Sequence, residues 1–182
     1  VVTWGGIKGF NFGEDSSSVA SEIANGVASV YSNKWSFAAL KSDGSVVTWG
    51  YSPYGGDSSV WKYEDKTWSK LESVSSNLQS NVVSIKSTLE AFAVLKSDGS
   101  VITWGKASNG GDSSSVSNDL NSDVTQIYAN DRAFAAVKSD GSVITWGDPT
   151  YGGDSSSVSS SLSSNVEKIF TTGSAFAALK SD

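Results

Sequence analysis

At 182 residues, with 38% hydrophobic and 11% aromatic content that includes 7 Trp, the chain is long enough for a packed core and too apolar for a disordered tail. A net charge of −6 repels phosphate backbones and argues against a nucleic-acid partner. The chain holds no Cys and no His, so thiolate and imidazole metal sites are excluded, and no stretch is apolar for long enough to insert in a membrane.

One motif organises everything else. Thr-Trp-Gly recurs with its Trp at 4, 49, 104 and 146, at spacings of 45, 55 and 42 residues. The shortest interval supplies a template, WGxxxxGGDSSSVSxxLxSxVxxIxxxxxAFAxxKSDGSVxT, and four such units account for the whole chain. In chain order, "VVTWG" (1–5) reads as a strand, and "GGIKGFNFGED" (5–15) carries a three-residue insertion with Phe10 and Phe12. "ALKSDGSVVTWG" (39–50) reads as two strands joined by an Asp43-Gly44 hairpin turn, since Asp-Gly supplies the backbone dihedrals that tight turns require. A variable loop with Tyr54 follows, then an insertion of thirteen residues within the stretch 60–73, which holds Trp61, Tyr63 and Trp68. The hairpin signal returns at Asp98-Gly99 and Asp140-Gly141.

The third unit predicts strands over 124–128, 133–138 and 142–147, with a fourth near 154–158. The second and third are apolar or small on both faces, as strands buried on both sides are. Repeated four-stranded sheets of this length are the signature of a β-propeller. The blades are expected at about 25–80, 81–122, 123–164, and 165–182 joined with 1–24. The terminal strands would close the last blade, because "AFAALKSD" (175–182) followed by "VVTWG" (1–5) rebuilds the internal pattern with only a Gly-Ser pair missing. The alternative is an open arc completed by oligomerisation. A start on Val rather than Met reads as a processed or excised chain, and no signal peptide is visible.

The string "ALKSDGSVVTWG" (39–50) resembles the regulator-of-chromosome-condensation (RCC1-like) repeat, with its Ala-Leu-x-x-Asp-Gly-x-Val-x-x-Trp-Gly core. The short period is similar to that of secreted bacterial members of the superfamily, such as blades of the type II β-lactamase inhibitory protein. All four units match, so the resemblance spans the chain and implies the propeller fold. It transmits no function, because nucleotide exchange, histone binding and β-lactamase inhibition each depend on loops particular to one member.

Trp4, Trp49, Trp104 and Trp146 hold one fixed strand position and read as inter-blade core. Asp15, Asp57, Asp112 and Asp154 recur beside Ser hydroxyls; they could bear on Ca²⁺, but one carboxylate per loop is few for an ion that takes six or more oxygens, and turn capping explains them. No other cofactor is implied. Without His, and with Arg132 the sole Arg, the chain lacks the usual general base and the Arg cluster of a sialidase, so no enzymatic activity is expected. Binding is expected where units depart from the repeat: Trp61, Tyr63 and Trp68 in the insertion, Phe10, Phe12, Tyr54 and Tyr151 after Thr-Trp-Gly, and Trp35 before the second strand. The expected function is a non-enzymatic module for adhesion or structural assembly at a bacterial surface, extracellular, with protein partners and self-association into an oligomer or filament. The alternative is a discrete binding protein, either a glycan-binding lectin or an inhibitor of another protein.

Overall fold

The computed structural model describes residues 1–6 and 12–181, and its regular elements are strands and short 3₁₀ turns. The strands fall into successive sheets. β1 (Val27–Ser32), β2 (Ser36–Lys41) and β3 (Val46–Gly50) form the first. A hairpin follows, β4 (Ser59–Glu64) and β5 (Thr67–Ser73). β6 (Val82–Ser87), β7 (Ala91–Lys96) and β8 (Val101–Lys106) make the second sheet, and β9 (Val124–Ala129), β10 (Ala133–Lys138) and β11 (Val143–Gly147) the third. β12 (Val166–Thr171) and β13 (Phe176–Lys180) pair with each other alone.

Neighbouring strands are antiparallel except β4 and β8, which pair in parallel at Val60–Gly105 and Trp61–Lys106 and so join the hairpin to the second sheet in the order β5-β4-β8-β7-β6; the middle strand of each unit is the Ala-rich one. The register is constant, with Phe37 opposite Trp49, Phe92 opposite Trp104 and Phe134 opposite Trp146. The Asp-Gly hairpins are tied locally. Asp43 Oδ1 accepts from the Ser45 backbone N–H at 2.9 Å and its hydroxyl at 2.7 Å, and Asp98 and Asp140 do the same for Ser100 and Ser142. Gly44 adopts φ +78°, and a Cβ there would lie 2.8 Å from the backbone nitrogen of Asn81. Glycine is therefore needed for the turn and for the close approach of the next unit. The Gly44 carbonyl also accepts from Val82 N–H at 3.0 Å, a contact repeated by Gly99 with Val124 and Gly141 with Val166.

The core is a series of clusters, each between neighbouring units. Phe92, Val94 and Trp104 pack with Ala38 and Val46 of the first sheet; Phe134, Ala136 and Trp146 pack with Ala91, Ala93 and Leu95 of the second. Small Ala side chains let the sheets approach while each Phe–Trp pair fills the gap, which is how blades bury both faces.

Two expectations fail. The Ser-rich segment expected to form a fourth strand does so at one place, where β4 begins at Ser59, and is a 3₁₀ turn instead at Ser17–Val19, Ser114–Val116 and Ser156–Val158. Side chains replace the ladder there: Thr103 Oγ1 donates to Gly111 O and is hydrogen-bonded to the Ser113 hydroxyl, and Thr145 Oγ1 makes the same pair of contacts with Gly153 O and Ser155 Oγ. The termini also do not close a blade. β13 has β12 as its partner, and residues 1–6 lie in no strand. They are held by the loop that follows them, through Val1 N to Ile23 O at 3.2 Å and Thr3 Oγ1 to Glu14 O at 2.7 Å. Trp4, expected in the core, is consequently 86% exposed, whereas Trp49, Trp104 and Trp146 are 2%, 0% and 2% exposed.

Candidate functional site

The variable positions converge at one end of the sheets. In the three units that have a Trp-bearing third strand, the residue just before the middle strand and the residue just after Thr-Trp-Gly are joined by a backbone hydrogen bond. Tyr51 N donates to Trp35 O, Lys106 N to Glu90 O and Asp148 N to Arg132 O. Two variable sites that lie far apart along the chain are therefore one site in space, and each unit gives it a different chemistry.

In the first unit the pair is aromatic. Trp35 lies 4.5 Å from Phe12 and 6.1 Å from Tyr54, and Tyr54 contacts Tyr51 at 5.1 Å. The row continues onto the β4–β5 hairpin, where Trp68 meets Tyr54 edge-on at 5.4 Å and Tyr63 at 5.0 Å. Such edge-on and tilted contacts suit the ring quadrupoles. Tyr63, opposite Trp68 in the hairpin register, is 52% exposed. The indole N–H of Trp35 is buried and has no acceptor among the described residues.

The second unit adds charge. Lys106 pairs with Glu90 at 2.7 Å, Asn109 Nδ2 donates to the same carboxylate at 2.9 Å, and the Lys106 ammonium lies 5.8 Å from the Tyr54 ring centroid. Burial, then the nearby Glu90 charge, pushes the Tyr54 hydroxyl up to about 12. It stays protonated and available as a donor. In the third unit Arg132 sits over Tyr151 at 4.9 Å and faces Asp148 at 3.7 Å. Asp148 is held below the usual carboxylate range, chiefly by the Thr150 hydroxyl.

Of the residues singled out in the sequence, Phe12, Trp35, Tyr54, Tyr63 and Trp68 share this aromatic row. Trp61 does not, since its indole donates to Asp57 Oδ1 at 3.1 Å beside the hairpin. Tyr151 belongs to the third unit's pair, and Phe10 lies outside the described residues. Tyr51 and Lys106 were missed, although both occupy the variable position after Thr-Trp-Gly. At the acidic loops, Asp15, Asp112 and Asp154 each accept from the backbone N–H two residues on, as turn caps do. Asp57 instead meets Trp61 and faces Lys70 at 3.6 Å. Among the described residues no three acidic side chains group as metal ligands, and no helix is long and apolar enough to cross a membrane.

No protein-family model matches the chain, and no curated protein matches its sequence. Solved structures do. Human WBSCR16 is similar with a TM-score of 0.52 and 18% identity over 85% of this chain. Prp20p from Saccharomyces cerevisiae, a protein with binding properties toward Gsp1p and histones, is similar with a TM-score of 0.51 and 17% identity over 86% of this chain. The match takes up 45% and 42% of those chains, so this chain spans less than half their length. At this identity the likeness shows the fold, an all-β arrangement of RCC1-like propeller blades.

Proposed function

We propose that the chain is a non-enzymatic, protein-binding repeat module that serves adhesion or structural assembly outside the cell, in the manner of secreted bacterial short-repeat propellers. The observation that carries this reading is the aromatic row Trp35–Tyr54–Trp68–Tyr63, rimmed by Lys34, Lys106 and Glu90. Aromatic rings amid a few fixed charges are what protein-interface hot spots are made of. Prp20p, of the same fold, binds proteins. The acidic balance and the lack of Cys agree with an extracellular setting and disfavour nucleic acid.

A lectin reading has one observation in its favour, the half-exposed Tyr63 ring, because sugars stack on such faces. Affinity capture from culture medium, run beside a glycan array, separates the two. Binding of a defined protein that is lost in Trp68→Ala/Tyr63→Ala supports the proposal. Selective binding of a glycan, lost in the same variant, replaces it with the lectin. Binding that the double variant leaves intact removes the aromatic row from the account.

A further inference from the structure

The Trp-bearing strands β8 and β11 share the run Val-Ile-Thr-Trp-Gly and differ in what lies along their outer edge. β8 carries β4 there, in parallel, with Val60 opposite Gly105 and Trp61 opposite Lys106. Ser59 and Val60 are fully buried in that position. β11 has β10 as its sole strand partner among the described residues. The segment of the second unit that corresponds to the start of β4 turns through Ser114–Val116 instead of extending.

The main-chain groups left over follow from the ladder. Lys138 N donates to Ser142 O at one end of the β10–β11 pair, and Asp148 N to Arg132 O at the other. Bonded pairs alternate along an antiparallel ladder, so Ile144 and Trp146 turn their amides toward β10. Val143, Thr145 and Gly147 turn theirs outward. Leu162 O takes the Val143 amide at 2.9 Å, whereas the amides of Thr145 and Gly147 have no acceptor among the described residues. A groove of about 460 Å³ runs along this edge and is lined by every residue of β11, 143–147. Ser115 and Val116 of the second unit contribute one wall, and Gly153 and Ser155 of the third unit the other. Asp112, Asp119 and Asp154 also line the groove, and no Lys or Arg does. None of these three carboxylates is in a salt bridge among the described residues.

We propose that the outer edge of β11 is a strand-accepting groove for an extended, basic segment of a partner protein, bound parallel to β11 as β4 is bound to β8. The register follows from β4: a Val of the incoming segment lies opposite Gly147, and the residue after it lies opposite Asp148. Strand addition satisfies the two outward amides through the partner's main chain. The three carboxylates select for Lys or Arg on either side of the added strand. No residue of the aromatic row lines the groove, and the inference does not rest on that row.

The probe is the peptide Lys-Lys-Ser-Val-Trp-Lys-Lys, which sets the Ser-Val-Trp of β4 between lysines. It is titrated into the ¹⁵N-labelled 182-residue chain and followed by amide NMR. The Thr145 and Gly147 amides are expected to shift, and their hydrogen exchange to slow about tenfold or more at saturation. Asp112→Asn/Asp119→Asn/Asp154→Asn keeps a side-chain oxygen at each turn and removes the charge. It should keep the wild-type far-UV circular dichroism spectrum and bind about tenfold more weakly, the combined worth of three exposed charge pairs. On the wild-type protein, the same peptide with Glu in place of every Lys should not bind. No binding at millimolar peptide overturns the proposal. So does binding that leaves the Thr145 and Gly147 amides unchanged, or equal binding of the Glu peptide. Protection of those amides before peptide is added overturns it as well. Constant protection would mean that the monomer covers the edge, and protection that rises with protein concentration would mean that a second copy does.

Discussion

Strands β10 and β13 carry almost the same sequence, Ala-Phe-Ala-Ala-Val-Lys and Phe-Ala-Ala-Leu-Lys, and meet different fates. In β10 every residue from Ala133 to Val137 is at most 4% exposed. In β13 Leu179 is 50% exposed, Phe176 is half-buried and Ala177 and Ala178 face solvent. Both strands pair with a first strand on one side. β10 alone has a third strand, with Trp146 stacked on its Phe. Burial in this fold is conferred by the Trp-bearing strand, the glycine loop next to it and the following unit, whose Val166 and Ile169 cover Ala135 and Val137. The Ala-rich sequence permits burial without securing it.

The sharpest way to break that comparison is to remove the indole where it is housed and where it is not. Trp146→Ala should cost about 3–5 kcal/mol, through lost transfer energy and the cavity left behind. Trp4→Ala should change the stability of the isolated monomer by less than about 0.5 kcal/mol, as an exposed site does. Urea midpoints measure both, and equal losses would contradict the comparison. A smaller effect is expected at the glycines. Gly110→Ala forces a Cβ against the fully buried Phe134 and should cost about 1–3 kcal/mol. Gly152→Ala should cost less, because Phe176 has an open side onto which it can move.

Titration probes the two ends of the sheets. Tyr54, with its hydroxyl pushed up to about 12 from 10.0, should add a late, high-pH step that Tyr54→Phe removes when absorbance near the phenolate band is followed. Because the folded value is raised, its contribution to stability is whole below pH 10.0 and lost as pH climbs toward 12. Phe substituted at Tyr54 should flatten that alkaline loss. The smallest effect belongs to the Asp-Gly turns. The hydroxyl and backbone N–H of Ser45, Ser100 and Ser142 hold Asp43, Asp98 and Asp140 below their usual 3.8. With folded values depressed, their support is present above pH 3.8 and fades as pH falls below it. Changing all three to Asn should lower stability slightly at neutral pH and make the acid side of the profile shallower.

Much of the fold was legible because the signals were local. An Asp-Gly pair between apolar runs specifies a hairpin, and Ala-Phe-Ala beside Val-Ile-Thr-Trp specifies strands buried on both faces. The fourth strand misled because, outside β4, Asp side chains in its Ser-rich run accept from the local backbone and hold it in a turn. Trp4 misled because its sequence context is that of Trp49, while its burial depends on a middle strand that no local signal reports. At the candidate site, the individual aromatics could be found as departures from the repeat. Their union into one row could not, because the bonds that join Trp35 to Tyr51 and Glu90 to Lys106 span the whole middle hairpin of a unit.

The most direct measurement is backbone hydrogen exchange of β13, compared with β10. The account predicts fast exchange along the uncovered edge of β13 and slow exchange throughout β10, where the Trp146 strand pairs. Protection of β13 that equals that of β10 would contradict it.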